Sequence, residues 1–333
     1  MATRNQIWIL KLVPGVRFGG FLSALLIFSL LYPLFLLVGG GDQEGMDNAP
    51  ALFFSLIIAY LVPVFYFITA RADDALTELM PRLNKDSAQV QSARGRLRSV
   101  SRGALSLQLL GGVVLGLGHL SYVRGSVAQM FHVMVSDIPL LTSSLGTLLV
   151  WVVMTTVIAM LVQQAMLFAQ LGSQEVRISL LNTQPLLAFG RVATYSSLAV
   201  IGALAMFPLL NLDSQFRMAE SLPGLIATVA PLVAIFIIPV WPIHRRLSAL
   251  KRETLTELTN RIEASLDNGD GSDPAPEKLV ELAPLLVYRR EIAGLSTWPF
   301  DVGSMTRLFL YFIIVPLTWA GAALIERLVD LLV

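Results

Sequence analysis

Cysteine is absent from this 333-residue chain. Its absence excludes disulfides, thiolate nucleophiles, iron–sulfur clusters and Cys-ligated zinc. Histidine is scarce: His119, His132 and His244 are the three, which leaves little room for an imidazole-based metal centre. Charge is scarce too. Only 14% of the residues are Asp, Glu, Lys or Arg, against roughly 25% in an ordinary soluble domain. The formal net charge of +1 offers no basic surface to nucleic acid. The HExxH zinc-protease pattern, the Walker phosphate loop and the GxSxG nucleophile elbow are all missing.

What is present is apolar. Hydrophobic residues make up 55% of the chain and the mean hydropathy is +0.69. Disorder needs the opposite composition, and a soluble protein of this length could not cover so much apolar surface. We therefore expect an all-α, polytopic transmembrane helix bundle. About 20 apolar residues cross a hydrocarbon core of about 30 Å. Seven windows of at least 18 residues lack any Asp, Glu, Lys or Arg: 18–41, 48–70, 103–123, 138–174, 192–212, 221–244 and 308–325. Each is expected to span. The stretch 178–190 has 13 uncharged residues and contains Pro185, so it is too short. The window 103–123 is the weakest, with Gln108, His119 and several glycines; a re-entrant or broken segment is the alternative there. The window 138–174 would reach about 55 Å as one straight helix. It is expected to tilt, or to run into water after Gln163 and Gln164. The first window is too long for a cleaved signal and is expected to stay as an anchor. A short interfacial helix around Trp8 precedes it.

Orientation follows from the cations, which collect in cytoplasmic loops. With seven spans and a cytoplasmic N-terminus, 21 Lys and Arg residues fall on one side. Arg124, Arg217 and Arg327 fall on the other. Dropping 103–123 would invert everything after it and send the most basic loop outward. The C-terminus is then expected outside. The chain divides into 1–244, holding six spans, the interfacial helix and a cytoplasmic helix at 71–102; 245–305, a cytoplasmic helical hairpin; and 306–333, the last span. Pro81 is expected to break or kink the 71–102 helix near its start. Leu247, Leu250, Leu255, Leu258, Ile262 and Leu266 recur at helical spacing. The run DNGDGSDPAP at 267–276 reads as a turn-rich loop, and it fails the EF-hand frame. A second helix follows, carrying Leu279, Leu282, Leu285, Leu286 and Ile292. The outer stretches 42–47, 124–137 and 213–220 are expected to be short loops.

A weak internal repeat is suggested by VPVFYF before LTEL at 76–79 and IPVWPI before LTEL at 255–258. Pro63 then corresponds to Pro239. Such repeats occur in transporters.

No charge remains inside the windows, where one costs about 2.5–3.5 kcal/mol and is kept for function. This argues against a proton-driven antiporter or a voltage sensor. A passive path could still be lined by Gln108, Ser143, Ser144, Thr147, Thr155, Thr156, Gln163 and Gln164, although hydroxyls in membrane helices usually bond to their own preceding turn. Gly112 and Gly116 form GxxxG, expected to serve close helix packing within the chain. Trp298, Arg289, Arg290 and Arg307 surround the LSTWPFD segment and are candidates for contact with lipid headgroups. His132 and Asp137 share an outer loop with Ser126 nearby, the residue types of a catalytic group, although single histidines there are more often interfacial polar residues.

These observations lead us to expect a non-enzymatic multi-pass inner-membrane protein. It would act as a scaffold or signalling component, engaging a protein partner or a second copy through 245–292, with membrane lipids as its other partners and without cofactor or metal. A passive channel or facilitator and a lipid-modifying enzyme are the alternatives.

Overall fold

The computed structural model describes residues 4–38, 49–83, 87–136, 138–212, 218–266 and 276–300, with scattered positions between 303 and 317. Ten helices form the body among these residues: α1 (Gly19–Val38), α2 (Ala49–Leu79), α3 (Ser87–Arg98), α4 (Arg102–Val123), α5 (Val127–Ser136), α6 (Ile138–Gln170), α7 (Leu187–Leu204), α8 (Met218–Ile237), α9 (Trp241–Leu266) and α10 (Pro276–Gly294). Apart from short helical turns, one other element occurs. The strand β1 (Arg4–Gln6) pairs antiparallel with β2 (Ser99–Ser101), Arg4 opposite Ser101 and Gln6 opposite Ser99. The chain then turns through Trp8–Leu12 with Ile9 and Leu10 buried.

Six stretches are long and apolar enough to cross a membrane: Gly19–Leu37, Ala49–Arg82, Arg102–Val123, Leu141–Ser173, Gln184–Leu210 and Ile226–Leu266. This is a helical membrane protein. The seventh expected span, 308–325, lies largely outside the described residues; the positions described there are helical. Burial orders the six. About 56% of the apolar window in α2 and 61% in α7 lie inside the protein, but only 11% in α1 and 17% in α4. So α2 and α7 form the centre. Phe21, Leu30 and Leu37 of α1 and Leu107, Leu110 and Val114 of α4 face outward, an exposed apolar surface suited to lipid or to another apolar surface.

Local chemistry explains the boundaries. Ser101 caps α4, its hydroxyl accepting from the Ala104 N–H at 3.2 Å. Gly125, at φ +79°, ends it in the left-handed conformation that glycine adopts without strain. The weakest window is therefore one unbroken helix of 22 residues, about 33 Å long, rather than a broken segment. The helix α6 runs on past Gln163 and Gln164 to Gln170 and closes with a π-turn at Leu171–Glu175.

Three expectations change. The 71–102 stretch does break at Pro81, as expected, but its first part is no separate element: α2 continues out of its apolar window to Leu79, Met80–Arg82 makes a tight turn at Pro81, and α3 begins anew. The stretch 124–137 is not a plain loop, because Val127–Ser136 is helical. The two prolines matched in the suggested repeat behave differently. Pro63 sits within continuous α2, whereas Pro239 falls in the turn separating α8 from α9.

Two apolar cores result. One, around Ile57, Phe65, Met160 and Leu161, lies between α2, α6 and α7. The other joins Leu76 and Leu79 of α2, Val90 and Leu97 of α3, Phe168 of α6, Phe189 of α7, Leu247 and Leu258 of α9 and Ile292 of α10. This second core lies at one end of the bundle, where the charged segments gather.

Candidate functional site

The charged end is built around α3. Val90, Ala93 and Leu97 lie on one face of that helix and are buried. Asp73, on the extension of α2, accepts from Arg94 Nε at 2.5 Å and from Arg98 at 3.0 Å, and Arg94 also donates to Thr77 Oγ1 at 2.7 Å. From the other side α6 supplies two amides. Gln163 Nε2 donates to the carbonyls of Arg96 (2.9 Å) and Ser99 (3.3 Å). Gln164, 1% exposed, donates to Thr69 Oγ1 (3.0 Å) and to the Leu97 carbonyl (3.4 Å). The last carbonyls of a helix lack partners of their own. Both glutamines thus hold the C-terminal end of α3. An Arg191–Glu78 ion pair and the bond from Arg246 to the Gly172 carbonyl (2.9 Å) tie α7 and α9 to the same end.

The other polar candidates are dispersed. Gln108 Nε2 contacts Met160 Sδ at 3.7 Å, while its Oε1 is buried without a partner. The Ser143 carbonyl accepts from Thr147, and Thr156 donates to the Val152 carbonyl. Ser144 is buried, and Thr155 lies beside Gly111 of α4. None of them lines the small void between α2, α6, α7 and α8. That void, about 20 Å³, is walled by Phe65, Met154, Leu161, Val200 and other apolar groups, with Thr228 its single hydroxyl. Thr228 already donates to the Gly224 carbonyl at 2.6 Å. A water needs two to four polar partners, so the void is dry. Three buried hydroxyls absent from the sequence-based candidates, Thr194, Ser196 and Ser197 of α7, have no hydrogen-bond partner.

Gly112 and Gly116 face α6. A methyl at Gly112 would stand 2.6 Å from Val152 Cα and 3.1 Å from the Trp151 carbonyl oxygen; one at Gly116 would meet Leu148 Cδ2 at 2.9 Å. Trp151 Nε1 donates to His119 Nδ1 across this contact at 2.7 Å, so the proton of His119 belongs on Nε2. His119 is a packing group between helices.

The lipid-interface candidates separate. Trp298 stacks on His244, ring centroids 3.9 Å apart and planes 15° apart. Trp241 lies 6.4 Å from Trp298, and Phe300 stacks on Phe236 at 5.1 Å. His244 Nδ1 meets the Thr297 carbonyl at 3.1 Å, and Gly190 of α7 admits Pro299 against its backbone. Arg289 is elsewhere, donating to Thr259 Oγ1 at 3.2 Å. Thr259 is 15 residues beyond His244 on α9, about 22 Å along the axis. Arg290 is exposed on α10, and Arg307 lies outside the described residues.

Lys251 clasps α10, its Nζ donating to the carbonyls of Ala293 (2.7 Å) and Leu295 (2.8 Å). With Arg289 meeting Thr259, α10 runs antiparallel along α9. It buries Leu282 and Ile292 against that helix and leaves Val280, Leu286 and Val287 exposed.

Among the described residues no group of three His, Asp or Glu side chains gathers as metal ligands would. Asp137, the acid of the conceivable catalytic group, lies outside them. A comparison against family models finds no match, and searches of curated proteins and of solved structures likewise find nothing similar.

Proposed function

We infer that this chain is a non-enzymatic multi-pass protein of the inner membrane, a scaffold or signalling component whose helices α9 and α10 form a cytoplasmic hairpin that receives a protein partner. One observation carries this. The helix α10 has two apolar stripes, of which α9 covers one. The other, Val280, Ala283, Pro284 and Val287, follows the i, i+3, i+4, i+7 spacing of a helix face, and these residues are exposed. Helices bind protein grooves through such anchors. The stripe lies beside the far half of α9, roughly 27–37 Å of helix beyond Trp241. That distance favours protein over lipid as its cover. The cytoplasmic placement rests on the cation asymmetry, and the segments carrying most of those cations meet at one end of the bundle.

The test is site-specific photo-cross-linking in native membranes from positions 280 and 287, with exposed Glu253 on α9 as the control position. The expected result is a discrete adduct of a second polypeptide from 280 and 287 alone, lost when the other stripe valine is changed to Glu. Equal labelling at all three positions, or adducts of lipid only, would overturn the assignment.

A further inference from the structure

We propose that the ledge formed by Trp241, Trp298 and Arg245 is a binding site for one anionic phospholipid, its acyl chain lying along the outer face of α8. The apolar column starts at Val229, Val233 and Ile237, 43%, 51% and 46% exposed on α8. Beyond the turn at 238–240 that ends α8, Trp241 and Trp298 are likewise exposed, 48% and 45%. The uncharged window of this span ends at His244, and Arg245 is the next residue. Arg245 therefore stands one helical turn from Trp241, at the level where lipid phosphates lie. It is exposed and makes no hydrogen bond or ion pair among the described residues, whereas neighbouring Arg246 and Lys251 are committed to backbone carbonyls. An apolar column capped by a free guanidinium is complementary to a chain capped by phosphate.

The aromatic part is built in advance. His244 covers one side of Trp298 face to face and holds the Thr297 carbonyl. Ser296 Oγ accepts from the Trp298 N–H at 3.3 Å. Gly190 lets the Pro299 turn seat on α7. A freely rotating belt tryptophan has none of these restraints. The ligand is recognised by the phosphate of its headgroup, and its lipid source by the column below.

Full-length protein in nanodiscs tests this. The probes are brominated-chain phosphatidylglycerol and brominated-chain phosphatidylcholine, each a minor component in unbrominated phosphatidylcholine. The readout is quenching of the emission that Trp298→Phe removes. We expect the half-quenching mole fraction for phosphatidylglycerol to be about five-fold lower, the scale of one cation at a lipid surface. Arg245→Gln should abolish the preference, Arg245→Lys should keep much of it, and Arg252→Gln should leave it intact. Equal quenching by both headgroups would reduce the ledge to an ordinary aromatic belt and overturn the proposal, as would a preference that survives Arg245→Gln. Displacement by millimolar glycerol phosphate would assign the site to a soluble phosphate ester and overturn the lipid assignment.

Discussion

Replacing Gly112 by alanine tests the contact between α4 and α6 most directly. The added methyl would lie 2.6 Å from Val152 Cα and 3.1 Å from the Trp151 carbonyl oxygen. Carbon atoms rest at about 3.5–4.0 Å, so the helices must part by about 1 Å, since backbone atoms cannot rotate away. Overpacking of this kind costs about 1–3 kcal/mol, a shift of about 5- to 150-fold in the folding equilibrium. Gly116→Ala meets the end of the Leu148 side chain at 2.9 Å, which can move, with Trp151 Cβ and Leu148 Cα further off at 3.3 and 3.4 Å, and should cost less. Gly118→Ala meets nothing within 4 Å and should stabilise the helix by about 0.5–1 kcal/mol. The graded series, measured by reversible unfolding in mixed micelles, is therefore 112 worst, 116 intermediate and 118 neutral or better. The same separation pulls Trp151 from His119, so the emission of Trp151 should shift in the Gly112 variant and stay unchanged in the Gly118 variant. Equal stability of the 112 and 118 variants would refute the packing assignment. So would a Gly112 variant that unfolds normally but loses a dimer present in the parent, because that would mean the glycine face packs against a second copy.

Other consequences are as definite. Gln164→Leu leaves Thr69 and the end of α3 without their buried donor and should cost about 1–3 kcal/mol, seen as faster hydrogen exchange across Ser87–Arg98. Asp73→Asn removes the anion between Arg94 and Arg98. It should expose α3 to trypsin and weaken the salt dependence of that cleavage in the parent. Lys251→Met frees the carbonyls of Ala293 and Leu295 and should lower the fluorescence anisotropy of Trp298, while a variant at exposed Glu253 should not.

The apolar windows were legible because crossing a bilayer is a composition problem, and composition is local. The structure keeps six of them as helices long enough to cross. The role of Gln163 and Gln164 was illegible for the opposite reason. Their partners are carbonyls of Arg96, Leu97 and Ser99, more than 60 residues earlier, and no periodicity records such a contact. Arg289 and Trp298 looked like one site because they are close in sequence, yet α10 carries the first away from the second. Two further signals lie in the sequence. Val127, Met130, Phe131 and Met134 repeat at helical spacing within 124–137. Val280, Ala283, Pro284 and Val287 do the same beneath the more prominent leucines of α10.

The small ribbon between Arg4–Gln6 and Ser99–Ser101 has a consequence for biogenesis. It closes a circuit through α1 and α2, so both ends of that circuit must occupy one compartment. During synthesis the early strand has to wait, unpaired, until roughly a hundred residues have emerged. Once paired, the ribbon ties the segment that leads into α1 to the segment that leads into α4, so neither can move without the other.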